Sequence, residues 1–584
     1  MKRESILRPR LCLCRWQRQI ASRHCSRSIG ALLVLTLSLL GAEAQTHPQF
    51  VDVARQAGVD LPTLSGSPEK DHIVESSTGG LAAFDYDNDG DVDLFVVNGS
   101  RLDGFPAAEE PRAALYRNEG DWHFSDIGAE AGVDHSGWGM GCTAADYDAD
   151  GWTDLYLSNY GPNALFRNDG GQFIDVAAKI GVANPAWSMA ATFADYDGDG
   201  DLDFYLTNYI DFDPNFRPEN PNFCRWRGLD VFCGPLGLAG AADAFYRNEG
   251  PEKGWSFTEA SRELGLPDYR YYGYGALSGD YDNDGDLDIF IANDATPNIL
   301  YINEAGRFRD IAPLASCAYS ENGLEQASMG AATSDFDGDG DLDLFVTNFS
   351  YDNNTLYQNS GRGFFLDASF VAGLGAPSHK YLGWGANFFD ADNDGDEDLF
   401  VANGHVYPAV DQHPLGTRYA QPNQLFENRG GGRFADISTT AGPGLRIEES
   451  SRGSAVADFD DDGDLDIAVV NIDAPPTLLR NEGGNRQNWL MLELRDTGFN
   501  KQAVGARVVL TNGDRRQLRE VRVGTSYLSQ DDLRLHFGLG KEAEVEHLAI
   551  RWPNGDEEIL RHIAANRLIR VERGKGIVSA RLAR

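Results

Sequence analysis

Asp85-Tyr86-Asp87-Asn88-Asp89-Gly90-Asp91-Val92-Asp93 is a nine-residue loop of alternating carboxylates with glycine at its sixth position. The apolar run Leu94-Phe95-Val96-Val97 follows it directly. The loop begins again at Asp146, Asp195, Asp280, Asp335, Asp390 and Asp458, with start-to-start spacings of 61, 49, 85, 55, 55 and 68 residues. Repeats at such periods mark an array of one supersecondary unit.

The neighbours of the loop repeat with it. Small residues precede it, as in Thr78-Gly79-Gly80-Leu81-Ala82-Ala83 and Gly139-Met140-Gly141-Cys142-Thr143-Ala144-Ala145. A β-like run ending in asparagine follows in every copy, at Asn98, Asn159, Asn208, Asn293, Asn348, Asn403 and Asn471. Next comes a short strand with its own terminal asparagine, such as Leu115-Tyr116-Arg117-Asn118, then a strand such as Phe173-Ile174-Asp175-Val176. Four short strands per unit is the pattern of a β-propeller blade, and seven units fall within the usual range. Small side chains suit the innermost strand, where strands crowd around the axis. The fourth-strand pattern also stands at the start of the array (Phe50-Val51-Asp52-Val53) and is missing after Leu478-Leu479-Arg480-Asn481. The N-terminal strand is therefore expected to complete the last unit, which removes an exposed sheet edge.

Hard cations such as calcium take six to eight oxygen ligands. In a loop of this kind positions 1, 3, 5 and 9 turn carboxylates inward, position 7 offers its backbone carbonyl, and glycine at position 6 allows the sharp turn. The candidate metal residues are Asp85, Asp87, Asp89, Asp91 and Asp93; Asp146, Asp148, Asp150, Trp152 and Asp154; and Asp195, Asp197, Asp199, Asp201 and Asp203. The remaining loops add Asp280, Asp282, Asp284, Asp286 and Asp288; Asp335, Asp337, Asp339, Asp341 and Asp343; Asp390, Asp392, Asp394, Asp396 and Asp398; and Asp458, Asp460, Asp462, Asp464 and Asp466. Trp152 replaces aspartate only at position 7, where no side chain is needed. An EF-hand requires a bidentate glutamate at position 12, but Val96, Leu157, Leu206, Ile291, Val346, Val401 and Val469 stand there. Up to seven Ca2+ ions are expected; magnesium, which keeps its waters, suits the loops less well.

The chain has 584 residues and a formal charge of -40. Residues 1–44 hold eight basic and two acidic residues, residues 485–584 hold 18 and 13, and the stretch between carries a net -51. Such acidity often means disorder, but 42% hydrophobic and 11% aromatic residues supply a core. The charge repels itself unless cations neutralise it, and it excludes nucleic acid as a partner of the middle region. Lys2 to Arg27 is basic, Ile29 to Leu40 is apolar, and Ala42-Glu43-Ala44 is a small-residue cleavage pattern. This reads as an export signal over 1–44 rather than a membrane span, so the mature chain is expected to be secreted or periplasmic and to have no span. Of the four cysteines beyond it, Cys224 and Cys233 share a Pro-rich loop and are expected to pair, an exported chain permitting disulfides. Cys142 and Cys317 are expected to be buried thiols.

The repeats resemble the FG-GAP or VCBS repeats of integrin α-chain propellers and of many secreted bacterial proteins. That resemblance spans about residues 50–484 and implies a seven-bladed propeller with calcium in the loop between the first and second strands. Beyond residue 484 the repeat stops and the chain turns basic. Alternating runs (Trp489-Leu490-Met491-Leu492-Glu493-Leu494, Ala506-Arg507-Val508-Val509-Leu510) and the hairpin signals Asn512-Gly513 and Asn554-Gly555 point to β-structure. Val504-Gly505-Ala506-Arg507, Ser526-Tyr527-Leu528-Ser529-Gln530, His536-Phe537-Gly538-Leu539-Gly540 and Trp552-Pro553-Asn554-Gly555 resemble the ASPIC/UnbV domain. A propeller followed by this domain is the layout of the cartilage acidic protein family. The fold class is all-β: a seven-bladed β-propeller over 45–484, then a small β-sandwich-like domain over 485–575 and a tail over 576–584. The mild positive charge of the second domain opposes the acidity of the first.

The acidic loops share one face of such a propeller, and the connections from second to third strands share the other. Three of those are long: 99–113, 209–243 and 404–423. The middle one holds Phe223, Arg225, Trp226, Arg227 and Phe232 around the cysteine pair. Trp and Arg are favoured interface anchors, and a cyclised loop loses less entropy on binding. Among catalytic signatures, Gly-x-Ser-x-Gly, His-Glu-x-x-His and the phosphate loop are all missing from the sequence. The leading expectation is a calcium-stabilised adhesion or recognition module for an extracellular protein or glycan ligand, not an enzyme. The alternatives are an extracytoplasmic lyase or hydrolase using the propeller as scaffold, and an accessory factor in assembly of another exported protein.

Overall fold

The computed structural model describes residues 48–105 and 110–583. The export signal expected over 1–44 lies outside the described residues. Among these residues, seven four-stranded antiparallel sheets follow one another through the repeats. Sheet one is Leu81–Phe84, Asp93–Val96, Ala114–Asn118 and Phe124–Asp126. Sheets two to six repeat the order. Sheet seven takes Ser451–Ala457, Asp466–Asn471 and Thr477–Asn481 from the end of the array and Phe50–Asp52 from its start. Phe50 pairs with Asn481 and Asp52 with Leu479, the closure that the orphaned fourth-strand pattern anticipates.

The first strands of consecutive sheets lie side by side around the whole cycle, including sheet seven against sheet one. The third-strand asparagines explain how neighbouring sheets hold register. The Asn168 amide donates to Tyr86 O in the previous acidic loop (2.8 Å) and to Thr153 O in its own (3.1 Å). Asn248, Asn303, Asn359, Asn428 and Asn481 reach back in the same way to Tyr147, Tyr196, Tyr281, Phe336 and Ala391. Asn118 of sheet one reaches Phe459 in the last loop at 2.7 Å, which completes the circle. The second-strand asparagines serve the other face. Asn159, Asn293 and Asn471 donate to the carbonyls of Pro162, Pro297 and Pro475 in the connections that follow them.

Residues beyond the repeats form two further four-stranded sheets. One contains Asn488–Arg495, Leu535–Gly540, Arg567–Glu572 and Gly576–Leu582; the other contains Arg507–Asn512, Arg515–Glu520, Glu544–Arg551 and Glu557–Ala564. Leu492, Val508, Leu510, Phe537, Leu548 and Trp552 are buried in the core they share. The stretch 576–584 was expected to be a tail, yet Gly576–Leu582 is a strand paired with Arg567–Glu572. Its consecutive exposed apolar residues (Ile577, Val578) gave no sign of a buried face.

One segment of this C-terminal part leaves its sheets. Val523 to Asp531 runs into the propeller axis and touches the innermost strands. Leu528 O accepts from Cys142 N, Ser526 O from Ala331 N and Gln530 O from Ala83 N. Val523 O accepts from Thr192 Oγ1 at 2.9 Å, and the Gln530 amide spans Ala144 N and O at 2.9 Å each. Tyr527 packs 4.8 Å from Trp384 and 5.7 Å from Tyr274 and donates to Ser77 O at 2.7 Å. The small inner residues therefore do more than relieve crowding between strands. They make room for this plug: a Cβ on Gly80 would lie 2.2 Å from Leu528 O, and one on Gly453 2.4 Å from Ser529 Oγ.

Candidate metal loops and the two propeller faces

Each acidic loop is a lattice of short hydrogen bonds that its aspartates make with their own backbone. In loop one Gly90 N donates to Asp85 Oδ2 (3.0 Å), Asp89 N to Asp87 Oδ1 (3.3 Å), and Asp91 N to Asp89 Oδ1 (2.9 Å). The position-9 aspartate is fastened at both oxygens: Asp93 accepts from Tyr86 N and from Asn118 N. Positive φ is needed at position 6, where Gly90, Gly151, Gly285 and Gly463 sit at 95°, 92°, 102° and 95°. A side chain there would be strained, which is why the glycine repeats.

The carboxylates converge. Asp85, Asp87 and Asp93 each offer an oxygen within 4.8 Å of the others, as do Asp146, Asp148 and Asp154, and Asp280, Asp282 and Asp288. Loops three and five converge through positions 1, 3 and 5. Oδ1 of Asp148, Asp280, Asp335 and Asp460 is buried without a hydrogen-bond partner. Burial first, and neighbouring aspartates after it, push Asp146 up to about 7 and Asp464 up to about 9, and lift Asp154 and Asp466 well above the carboxylate range. Ionising such a set without a counter-ion is costly, and converging orphaned oxygens are the donor set of a hard divalent cation. The residues present fit that ion.

The C-terminal sheets sit on this face. Arg581 donates to Gly90 O in loop one (3.0 Å), and Gln502 bridges Asp146 N (2.9 Å) and Thr153 Oγ1 (3.0 Å) in loop two. Arg507 and Arg551 meet Asp280 of loop four, and Arg507 reaches Gly340 O of loop five at 2.7 Å. Arg515 pairs with Asp396 of loop six at 3.1 Å; Arg534 pairs with Asp461 of loop seven at 3.1 Å. Arg534 and Asp461 are each 90% or more buried, so this is not the exposed kind of pair that contributes little. Sequence reasoning saw the opposite charges but not these partners, because the arginines lie on strands far away in the chain.

The opposite face carries the long connections. Cys224 and Cys233 form the expected disulfide, while Cys142 and Cys317 are buried free thiols. The hairpin Arg225–Asp230 crosses from sheet three to the connections of sheets five and six. Trp226 is half-buried against Phe349, Tyr351, His405 and Tyr407, and Phe232 is buried 4.7 Å from Tyr407. These two anchors point inward. Arg225 and Arg227 are exposed, Arg225 paired with Asp230 and Arg227 stacked 3.5 Å over Tyr351, and Phe223 is half-buried. A groove of about 600 Å3 runs beside the hairpin, lined by Lys70, His72, Phe216, Arg217, Arg225 and Tyr407 among others.

Beneath the hairpin lies a group built on Arg452, which the sequence did not single out, and on His405, which the sequence reads as a surface histidine of the third long connection but which is fully buried. Arg452 is fully buried 4.1 Å over the Trp384 ring and donates to Ser76 O and Ser451 O. His405 accepts from Tyr407 N at Nδ1, which places its proton on Nε2; burial first and Arg452 second push the imidazole down to about 3. No motif marks either residue, since each is defined by what folds over it.

Residues 85–157, 146–206, 335–401 and 415–490 match the FG-GAP-like repeat model, and residues 496–578 match the ASPIC and UnbV model. The chain contains FG-GAP-like repeats followed by an ASPIC and UnbV domain. It is similar to cartilage acidic protein 1 of Xenopus tropicalis, 31% identical over 312 residues that make up 51% of this chain and 44% of the relative. The protein of that name in Homo sapiens is 29% identical over 320 residues, 53% of this chain and 45% of the relative. The chain thus spans less than half the length of the curated relatives it matches. Among solved structures it is similar to an Agrocybe aegerita lectin that recognises terminal N-acetylglucosamine (17% identity, TM-score 0.37, 62% of this chain and 82% of that one). YCF48 bound to D1 peptide is another (8% identity, TM-score 0.38, 75% of this chain and 98% of that one).

Proposed function

We propose that this is a secreted, calcium-stabilised propeller that recognises an extracellular protein or glycan with the face opposite its metal loops. The observation that carries this is the distribution of cover. The acidic face is overlain by the C-terminal sheets and the axis is plugged, whereas the other face keeps an open groove beside a disulfide-closed, arginine-bearing loop. In this reading each loop holds its cation through positions 1, 3, 5 and 9 and the carbonyl of position 7. The ion supplies charge neutralisation and a fixed loop shape. The chain's own residues supply rigidity, and Phe216, Arg217, Phe223, Arg225 and Arg227 supply contacts. No helix of the described residues is long and apolar enough to cross a membrane; export rests on the N-terminal pattern of 1–44.

Two experiments test the reading. Chelation lowers the melting temperature and millimolar calcium restores it, because a ligand of the folded state alone stabilises by mass action; an unchanged melt overturns the cation assignment. Partner capture from a native secretome and on a glycan array is then compared between the wild type and Phe216→Ala/Arg225→Ala. Loss of capture with an unchanged melt supports the open face as the recognition surface. Capture that survives this variant overturns it.

A further inference from the structure

Five of the seven acidic loops are open to solvent and two are covered. The position-5 aspartate, a proposed cation ligand, is exposed in loops one to five, at Asp89, Asp150, Asp199, Asp284 and Asp339. In loops six and seven, residues 390–398 and 458–466, every residue is buried or half-buried, Asp394 and Asp462 included. The cover comes from the C-terminal part of the chain. Over loop six, Gly540 N donates to Asn393 O at 2.8 Å and the Gln487 amide to Asp392 O at 3.0 Å. A Cβ on Gly538 would lie 1.9 Å from Asp390 Oδ2, so the strand lies directly on the first aspartate. Over loop seven, a Cβ on Gly463 would lie 1.8 Å from the Trp489 ring, and Arg534 donates to Asp458 O at 3.1 Å. Asn393 Nδ2 donates to Gly463 O at 2.9 Å and ties the two covered loops together.

The covered loops keep oxygens without a partner among the described residues. Asp464 is 1% exposed; its Oδ2 accepts from Asn485 N, while its Oδ1 is buried and unpartnered beside Asp458, Asp460 and Asp462. Asp460 Oδ1 and Asn393 Oδ1 are buried and unpartnered as well. Arg515, Arg519, Arg534 and Arg581 pair with acids of the two loops, four cations against twelve aspartates and glutamates in 390–398 and 458–466. Closing the sheets over these carboxylates without a further counter-ion would bury unpaired charge, which is strongly unfavourable.

We propose that loops six and seven are occluded cation sites, which take calcium before the C-terminal sheets settle on them and release it only when those sheets lift. This rests on the cation reading above and divides the seven loops into two kinetic classes. The five open loops exchange with the medium. The two covered loops make their ions part of the joint between propeller and C-terminal sheets.

Release kinetics on the full, calcium-loaded chain test this. The chain is mixed with excess EGTA, desalted at set times, and its remaining calcium counted by atomic emission. Five equivalents are expected to leave at once and two at least about a hundredfold more slowly, because their release waits for a sub-global opening. Low urea speeds the slow phase and leaves the fast one alone, since the opening exposes surface. Asp394→Asn removes one slow equivalent, and Asp89→Asn removes one fast equivalent. A single fast phase for all the bound calcium overturns the proposal, as does an Asp89→Asn chain that loses a slow equivalent while Asp394→Asn keeps both. A chain that binds no calcium overturns the underlying cation reading, which is a different failure.

Discussion

The two faces of the propeller are built on opposite plans. On one, seven nearly identical loops repeat the same internal hydrogen bonds, tie each sheet to the next through an asparagine, and disappear under the C-terminal sheets. On the other, no two connections are alike: one is closed by a disulfide and sends a hairpin to the connections of sheets five and six, and grooves remain between them. Repetition therefore belongs to fastening, and the proposed recognition to variety. A loop copied seven times can specify a ring; it offers a partner nothing distinctive.

The comparison breaks most sharply at the plug. Gly80→Val places a branched side chain where a Cβ alone would already meet Leu528 O at 2.2 Å. The expected cost is on the order of 3–5 kcal/mol, the overpacking and lost-network tail of single substitutions. Thermal melting and proteolysis of the C-terminal sheets read it. A chain that tolerates the valine shows the plug to be dispensable.

A smaller effect comes from the asparagine circle. Asn303→Ala removes the amide that joins Tyr196 O of loop three to Leu287 O of loop four, taking the donor from one buried and one part-buried carbonyl. About 2–3 kcal/mol is expected, since orphaned buried acceptors carry their full desolvation penalty. Denaturant melting measures it. An equal loss from Arg225→Ala, exposed on the variable face, would erase the distinction between the faces.

A third effect is pH-dependent and lies on the variable face. His405 is neutral when folded because burial pushes its imidazole down to about 3. Above pH 6.5 it is neutral in both folded and unfolded states and contributes no slope. As pH falls from 6.5 toward 3 the unfolded chain takes a proton the folded one refuses, so stability declines by up to about 1.4 kcal/mol per pH unit. His405→Gln is expected to flatten the melting profile between pH 6 and 4. An unchanged profile would mean that the pocket under Trp226 opens to water.

Much of this was legible before any coordinates. Strand order, the closure by Phe50–Asp52, the position-6 glycine and the Cys224–Cys233 pairing follow from local spacing, and local spacing is what a repeat displays seven times over. The asparagines were visible as a pattern but not as a circle, because their partners lie in the previous repeat. The plug, the arginine contacts and the Arg452–His405 group were hidden, since each joins residues tens to hundreds of positions apart and none repeats. The strand at Gly576–Leu582 was missed because its side chains are largely exposed and carry no core pattern.

Amide hydrogen exchange with and without calcium tests the division between the faces most directly. Removing calcium is predicted to raise exchange in the seven acidic loops and in Val523 to Asp531, while the disulfide loop over 209–243 keeps its rates. Exchange that rises first in 209–243, or a pattern that calcium does not alter at all, would contradict the account.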